Sequence, residues 1–325
     1  MKDQADNLRK AIEKLSPLRL PEPGGAAPRN RNGGAATFRN GGGAPLRRRN
    51  IGPTRVYAVA SGKGGVGKTS VSVNLALALC EQSYKTLIID ADIGLANVEV
   101  LFGLTPGASL MDSINGDKPI REIIFGGPIG VNIISGGAGM EELARMDESS
   151  IAAFAAEISE LDDEYDAIII DTGAGISENV LGTVMAADEL IIVTTPEPTS
   201  LTDAYALIKA IALRDRAKTM RIIINRAENE AEAGEIASKL TQVSAKFLDL
   251  KIHKLGYILN DPLVVRSIKR QNPFFIYSPY SQTSKSIREI ALRLMDGAAL
   301  APTDKNRGLS GFFDRIAKFV SMQLK

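Results

Sequence analysis

The 325-residue sequence has little cysteine, little histidine and almost no net charge. Its single cysteine, Cys80, excludes an internal disulfide framework and fits a reducing compartment. Its single histidine, His253, has no cysteine or histidine partner at a metal-ligand spacing, so we assign it no metal site. A net charge of +1 gives the molecule as a whole no reason to bind nucleic acid.

Long apolar runs are also missing from the sequence. No stretch approaches the length needed to cross a bilayer, and the charged N-terminus lacks the apolar segment of a secretory signal. The composition, 44% hydrophobic and 24% charged, is typical of a globular protein with a substantial core. We therefore expect a cytoplasmic protein that at most lies on a membrane surface.

Short apolar runs alternate with helical patterns from residue 55 onward. Most of these runs are continuous in Ile, Val and Leu, which is typical of strands buried on both faces of a parallel sheet. Strands are predicted at 56–60, 86–90, 131–135, 167–171, 189–195, 220–225 and 254–259, and helices at 68–82, 148–161, 176–187, 199–213, 231–248, 262–270 and 280–296. This alternation predicts a doubly wound α/β domain over residues 55–300, with a mostly parallel sheet flanked by helices.

A glycine-rich stretch between the first strand and the first helix matches the phosphate-loop pattern G-x-x-x-x-G-K-[ST]. The glycines let backbone N–H groups converge on phosphate oxygens at the positive end of the helix. Lys68 would neutralise the outer phosphates of ATP, and Thr69 would offer its hydroxyl to Mg²⁺. The alternative is a plain glycine-rich turn, which would have to match all eight positions of the phosphate-loop pattern by coincidence. The predicted nucleotide-binding residues of the loop are Gly62, Gly64, Gly65, Val66, Gly67, Lys68, Thr69 and Ser70.

Three aspartates follow apolar runs and are candidates for the chemistry of hydrolysis. Asp171 ends the run at 167–170, and Asp90 and Asp92 end the run at 86–89. The carboxyl ends of parallel strands share one sheet edge with the phosphate loop. We therefore predict Asp171 and Asp90 at the Mg²⁺ shell with Thr69, and Asp92 as the residue that orients the attacking water. The alternative for Asp90 and Asp92 is a turn-forming role at the strand end.

Two segments precede this domain. Residues 1–15 have apolar residues at helical spacing, so we expect a short helix that docks on its own domain or folds on a partner. Residues 16–54 carry eight glycines, six prolines and seven arginines, a composition that cannot bury enough surface to fold. We expect a flexible tether, the alternative being binding to anionic lipid, RNA or DNA.

Residues 301–325 form a polar tether followed by a second amphipathic helix. Phe312, Phe313, Ile316, Phe319 and Val320 fall on one side of this helix, opposite charged residues. Paired aromatics on a separate, basic terminal helix favour an interfacial membrane anchor. The alternative is a terminal helix that packs on its own core.

An ordinary phosphate loop does not need the second lysine of this loop, Lys63. Residues 63–69, Lys-Gly-Gly-Val-Gly-Lys-Thr, resemble the deviant Walker A pattern of the MinD/ParA family. The resemblance implies ATP-dependent dimerisation, in which two subunits enclose two nucleotides and Lys63 reaches across to the partner's phosphates. Lys63 would then join Lys68 and Asp92 as a catalytic residue, stabilising the transition state as an arginine finger does.

Within that family the sequence resembles the FlhG group of flagellar regulators, also called FleN or YlxH. Residues 90–97 and 171–177 are similar to the two switch segments of that group. Residues 3–9, Asp-Gln-Ala-Asp-Asn-Leu-Arg, match its DQAxxLR motif. The resemblance implies that Asp3, Gln4, Leu8 and Arg9 contact and activate the GTPase FlhF.

The resemblance also implies a site for the adenine base. Asn225 and Arg226 match the family's base-contacting Asn-Arg pair. Asn260 and Asp261 are assigned to the rim of the base site, although here the proline, Pro262, follows the polar pair, whereas the family pattern has it before the pair.

The function we expect is an ATP- and Mg²⁺-dependent dimerising ATPase that controls flagellar number or placement. Its implied partners are FlhF, basal-body or C-ring proteins, a flagellar transcription regulator and the anionic inner face of the cell membrane, at the cell pole. Alternatives are a ParA-like DNA-partitioning ATPase, a cell-division-site MinD protein and a scaffold that binds nucleotide without hydrolysing it.

Overall fold

The fold is that of a computed structural model, which describes residues 54–92, 97–136, 142, 146, 148–162, 164–296 and 308–323. The predicted N-terminal helix and nearly all of the predicted linker lie outside these ranges. The same holds for the predicted partner-binding residues Asp3, Gln4, Leu8 and Arg9.

The centre of the domain is an eight-stranded sheet. Its strands are β1 (Arg55–Ser61), β2 (Thr86–Ala91), β3 (Phe125–Gly126), β4 (Asn132–Ser135), β5 (Ala167–Ala174), β6 (Glu189–Thr194), β7 (Thr219–Ala227) and β8 (Ile252–Leu259). The strand order is β3-β4-β2-β5-β1-β6-β7-β8, and only the short β3 runs antiparallel to its neighbour. The doubly wound, mostly parallel sheet predicted from the sequence is confirmed.

The helices are α1 (Lys68–Glu81), α2 (Asn97–Phe102), α3 (Leu110–Ile114), α4 (Glu148–Ser159), α5 (Glu178–Ala186), α6 (Pro198–Ala212), α7 (Glu230–Leu248), α8 (Pro262–Lys269), α9 (Phe274–Tyr277), α10 (Gln282–Asp296) and α11 (Gly308–Gln323). The helices predicted between residues 68 and 296 all form, as does the predicted C-terminal helix, and the predicted N-terminal helix lies outside the described residues. The short helices α2, α3 and α9 were not predicted, because each is too short to show a helical period. The carboxylate of Asp112 stabilises the start of α3 by accepting bonds from the N–H and hydroxyl of Ser109.

Two hydrophobic cores cover the two faces of the sheet. Along β1, Val56 and Ala58 belong to the core beneath α4–α7 and α11. Tyr57 and Val59 belong to the core beneath α1, α2, α9 and α10. Successive strand residues point to opposite faces, so a strand covered on both sides must be apolar at every position. This is why the sequence shows continuous apolar runs.

The C-terminal helix α11 packs on its own domain, against α4 and α5. Leu309, Phe312, Phe313 and Ile316 are all buried in the core beneath these helices. The rings of Phe313 and Phe154 meet edge to face with their centroids 5.2 Å apart. Among the described residues, no helix is both long and apolar enough to traverse a membrane.

Polar contacts also fix α11 in its groove. The carboxylate of Asp162 accepts bonds from the N–H groups of Leu309 and Ser310 at the start of the helix. Arg315 donates to the carbonyl of Ala186 at 2.5 Å and pairs with Asp188 at 2.9 Å. In this structure the predicted membrane face is therefore a packed face, apart from Val320, whose side chain lies outside the described part.

Candidate functional site

The loop between β1 and α1 lies at the carboxyl edge of the sheet and has the backbone of a phosphate cradle. Gly65 and Gly67 have φ angles of 77° and 89°, in the left-handed region that other residues avoid. A Cβ atom on Gly62 would lie 2.2 Å from the backbone of Asp203, so the loop can pass α6 only as glycine. Helix α1 then begins at Lys68, with its free N–H groups at the loop.

Lys68 and Asp171 form a buried ion pair at the centre of the site. Lys68 Nζ lies 3.0 Å from Asp171 Oδ1, and the two side chains are 7% and 0% exposed. Ser72 donates to the same oxygen at 2.6 Å. Asp171 Oδ2 is buried and has no hydrogen-bond partner among the described residues. Oδ1 of this carboxylate thus contacts both Lys68 and Ser72, whereas Oδ2 has no hydrogen-bond partner among the described residues.

Asp90 lies beside Asp171, since the two residues are paired in register on β2 and β5. Its carboxylate accepts bonds from the N–H groups of Asp92 and Val98, both at 3.0 Å. Burial, and then the charge of Asp171, raise the pKa of Asp90 to about 7. Two buried carboxylates on neighbouring strands repel each other, so the site favours a cation close to them.

Asp92 lies just beyond the end of β2. Asn97 donates to its carboxylate at 3.1 Å, and a Cβ on Gly173 would lie 3.4 Å from Asp92 Oδ1. Partial burial raises the pKa of Asp92, and the charge of Lys68 opposes that shift. The carboxylate therefore lies close to the glycine-rich end of β5, more exposed than Asp90 and within the field of Lys68.

Lys63 is held within its own chain. Its ammonium donates to Glu197 Oε2 at 2.7 Å and to Thr199 Oγ1 at 2.9 Å. The hydrogen bond from Lys63 lowers the pKa of the Glu197 carboxyl. Glu197 and Thr199 lie at the start of α6, at the same sheet edge as the phosphate loop.

The predicted base-site residues line one small cleft beside α1. Asn225, Arg226, Asn260 and Asp261 line it together with Gly67 and apolar residues of α8. Asn225 donates to the carbonyl of Val66 at 2.7 Å, which ties this cleft to the phosphate loop. Arg226 has a φ angle of 56°, a left-handed conformation that costs energy in a non-glycine residue. Asp261 caps α8 by accepting from Leu263 N–H at 2.8 Å.

The residues that the structure describes fit a nucleotide-bound Mg²⁺ ion and do not by themselves form an all-protein cage. No group of three or more His, Cys, Asp or Glu residues within the described ranges could hold a metal ion by itself. Mg²⁺ is commonly held by one or two protein groups, substrate phosphates and waters. The unused Asp171 Oδ2, the Asp90 carboxylate and the Thr69 hydroxyl at the start of α1 supply such a partial set.

Several residues of the site were not among those predicted. Glu197, which holds Lys63, follows the apolar run of β6, so the rule that assigned Asp90 and Asp171 also applies to it. Ser72, by contrast, lies inside α1, four residues after Lys68, where nothing in the sequence separates it from an ordinary core position.

Comparisons with known proteins agree with this geometry. A family model described as ParA, NUBPL iron-transfer P-loop NTPase, matches residues 52–295. The antiactivator FleN of Pseudomonas aeruginosa is 38% identical over 267 residues, covering 82% of this chain and 94% of FleN. The flagellum site-determining protein YlxH of Helicobacter pylori is 35% identical, covering 83% of this chain and 92% of YlxH.

Solved structures of MinD proteins have the same fold. MinD of Pyrococcus horikoshii, solved with Mg-ADP, superposes with a TM-score of 0.61 at 25% identity and covers 77% of this chain and 100% of that one. MinD in the MinC:MinD complex of Aquifex aeolicus superposes with a TM-score of 0.59 at 27% identity, covering 74% and 96%.

Proposed function

Because the chain belongs to the MinD/ParA family of P-loop ATPases, and within it to the FlhG-type flagellar regulators, we propose that it is an ATP-driven dimer switch that controls flagellar number or placement. One observation carries the proposal. Both lysines of the phosphate loop are paired with carboxylates of their own chain, Lys68 with Asp171 and Lys63 with Glu197. Each carboxylate pairs with a lysine that would bind nucleotide phosphates in the ATP-bound state.

The first step is ATP binding within one subunit. The N–H groups of residues 64–69 contact the phosphates, and Lys68 leaves Asp171 to reach the outer phosphates. Thr69, Asp90 and Asp171 would hold Mg²⁺, which would supply positive charge beside the phosphates. Asn225 and Arg226 contact the base from the loop side, and Asn260 and Asp261 from the far rim of the same cleft. That these four residues line one cleft together with Gly67 supports this arrangement.

The second step joins two subunits face to face. Lys63 leaves Glu197 and Thr199 and reaches the phosphates in the partner. The exposure of this contact supports the proposal, since the Lys63 and Glu197 side chains are 29% and 57% exposed. An ion pair that is open to water is weak and exchanges its partner readily. A positive charge supplied by the second subunit then stabilises the transition state of phosphoryl transfer.

Hydrolysis requires that a water be oriented toward the γ-phosphate, and we assign this role to Asp92. Its place between Asn97 and the Gly173 backbone, beyond the strand end, supports the assignment. Asp92 holds the water by hydrogen bonding, and the buried Asp90 stays with the metal. Turnover is slow until a partner protein completes the site, as in related switch NTPases.

Membrane binding is the proposed output of dimerisation. The apolar face of α11 has to leave its groove first, and α5 connects that groove to the nucleotide site. α5 starts directly after the β5 segment that carries Asp171, and a Cβ on Gly182 of α5 would lie 2.9 Å from the Phe319 ring. A shift of α5 on dimerisation would therefore disturb the seat of α11.

A pair of released helices binds anionic lipid far better than one, because two weak anchors act together. The proposed location is the cytoplasm, with the ATP dimer on the inner face of the membrane at the cell pole. Residues 1–15, with Asp3, Gln4, Leu8 and Arg9, are proposed to activate FlhF. Basal-body or C-ring proteins and a flagellar transcription regulator are the further proposed partners.

Two assays test the proposal against its rivals. Sedimentation of the protein with anionic liposomes should require ATP, and binding to DNA should be weak at all salt concentrations. ATP-dependent DNA binding without lipid binding would favour a ParA-like partitioning role. Phosphate release identifies a non-hydrolysing scaffold, which would bind ATP and show no turnover. Restoration of flagellar number in a deletion strain separates a flagellar role from a cell-division role.

A further inference from the structure

Ser72 is a buried residue of α1 that contacts the centre of the nucleotide site. It is 0% exposed, and its hydroxyl lies 2.6 Å from Asp171 Oδ1 and 3.1 Å from the carbonyl oxygen of Lys68. A serine hydroxyl carries one proton and can donate it to one of these acceptors at a time. Hydrogen bonds to a charged oxygen are shorter and stronger than bonds to a carbonyl, so the proton belongs to Asp171.

This contact differs from the usual one for a serine inside a helix. Such serines bond back to the carbonyl four residues earlier and have no further role. Here that bond is the longer of the two, and the shorter one leaves the helix for β5. Ser72 is therefore turned toward the carboxylate rather than toward its own helix.

Asp171 Oδ1 has two polar neighbours, the ammonium of Lys68 in an ion pair and the donating hydroxyl of Ser72, and only one of them can stay when nucleotide binds. Lys68 Nζ contacts Oδ1 at 3.0 Å, but the lysine is needed at the phosphates. Ser72 is a short side chain fixed inside α1, so it remains in place. Oδ2 has no partner among the described residues and is left for the metal.

We propose that Ser72 is a positioning residue for the magnesium site: it holds Asp171 Oδ1 while Lys68 moves from that carboxylate to the phosphates, so that Oδ2 stays presented to the metal or to a metal-bound water. This inference rests on the proposed ATPase function. Without the Ser72 hydroxyl, no contact among the described residues would fix the rotation of the Asp171 carboxylate once Lys68 has moved, so Oδ2 would no longer be presented to the metal.

The test is equilibrium binding of a fluorescent ATP analogue to the full-length Ser72→Ala protein, at increasing Mg²⁺ and separately in EDTA. Residues that hold a metal ligand in place affect metal affinity by about 10-fold or more. We expect the Mg²⁺ concentration at half-maximal tight binding to rise by about 10-fold, and the affinity in EDTA to stay within about 2-fold. Ser72→Thr keeps the hydroxyl and should keep the Mg²⁺ midpoint of the wild type.

Ser244→Ala is the matched control, because Ser244 is also a buried helical serine, and its hydroxyl has no hydrogen-bond partner among the described residues. Its Mg²⁺ midpoint should not move. The inference is overturned if Ser72→Ala has the wild-type midpoint, or if its affinity falls equally with Mg²⁺ and in EDTA, as a purely structural role requires. A wild-type protein that neither binds nor hydrolyses ATP would instead refute the proposed function, whatever Ser72→Ala does.

Discussion

The nucleotide edge and the groove of α11 are both closed by contacts within the chain, but the contacts differ in kind. At the nucleotide edge, Lys63 is held by an ion pair that is open to solvent. In the groove, Leu309, Phe312, Phe313 and Ile316 are between 0% and 6% exposed. An exposed ion pair contributes about 0–1 kcal/mol. Burial of an apolar side chain contributes about 1.5–3 kcal/mol, so four of them far outweigh the pair.

This difference indicates that the release of α11, and not the transfer of Lys63, is the step that requires an additional source of free energy. In the proposed dimer, Lys63 would change partners at little cost when the second subunit presents its phosphates. The apolar face of α11 cannot move into water, because the free energy of burying its side chains would be lost and no other contact would replace it. It can move into a lipid surface, which also covers apolar side chains. We infer that the membrane takes part in opening the groove, and that dimerisation alone only loosens it.

The largest expected effect is on hydrolysis at the nucleotide edge. Asp92→Ala should lower the rate of phosphate release by at least about 100-fold, since it removes the group that we propose orients the water. ATP binding should be retained, because Asp92 lies outside the phosphate loop. Phosphate release and nucleotide binding measured on the same preparation check this. Unchanged phosphate release would remove Asp92 from the mechanism and support a scaffold.

The next effect concerns the groove. Gly182→Leu places a side chain where the Phe319 ring now lies and should free α11, giving liposome binding without ATP. Gly234→Leu is the control, since Gly234 lies on another helix, α7, and a Cβ there meets only the end of the Lys254 side chain, at 3.9 Å. Phe312→Asp should abolish sedimentation with or without ATP. ATP-dependent sedimentation that survives Phe312→Asp would show that α11 is not the anchor.

A smaller effect is a pH dependence of the free energy of unfolding, which arises from Lys218 beside α11. Burial, and then the charge of Arg315 on α11, lower the pKa of Lys218 to about 8 from 10.5. Its ammonium donates to the carbonyls of Met185 and Ala187 at the end of α5. Between pH 8 and 10.5 the unfolded chain binds more protons at Lys218 than the folded protein does. The contribution of Lys218 to the free energy of unfolding therefore rises with pH in this interval.

The free energy of unfolding measured at several pH values checks that effect. The wild type should gain about 1–3 kcal/mol from Lys218 across the interval, and Lys218→Met should lose this gain. Arg315→Gln should raise the pKa of Lys218 and shift the gain to higher pH. An identical pH profile in Lys218→Met would show that the lysine is not held in this state.

The smallest expected effect is at the exposed ion pair. Glu197→Gln removes the negative charge that holds Lys63 and should tighten the ATP-dependent dimer by about 2- to 5-fold, as an exposed pair allows. Lys239 and Glu235 form another exposed pair, on α7, so Glu235→Gln serves as the control. A weaker dimer in Glu197→Gln would mean that Glu197 assists Lys63 in the dimer instead of restraining it.

The sequence predicted the sheet and the glycine-rich loop between β1 and α1, because both depend on local patterns. Continuous apolar runs follow from burial on two faces, and the loop needs glycine where φ is positive, as at Gly65 and Gly67. The sequence also predicted that Asp90, Asp92 and Asp171 lie at one edge of the sheet, since the strand ends of a parallel sheet meet there.

The remaining contacts join residues that are far apart in sequence, which no local pattern encodes. Glu197 lies 134 residues from Lys63, and Ser72 lies 99 from Asp171. The amphipathic pattern of residues 309–324 predicts the helix α11, but it does not say whether the apolar face meets lipid or its own domain. Only the groove between α4 and α5 decides that, and Gly182 opens it for Phe319.

The central claim is that ATP converts a self-contained subunit into a dimer. Size-exclusion chromatography with light scattering of Asp92→Ala tests it most directly, because this variant should bind ATP without consuming it. The account predicts the mass of one subunit with ADP and of two subunits with ATP and Mg²⁺. Lys63→Ala in the same background should remain a single subunit in both. A single-subunit mass for Asp92→Ala with saturating ATP would contradict the account.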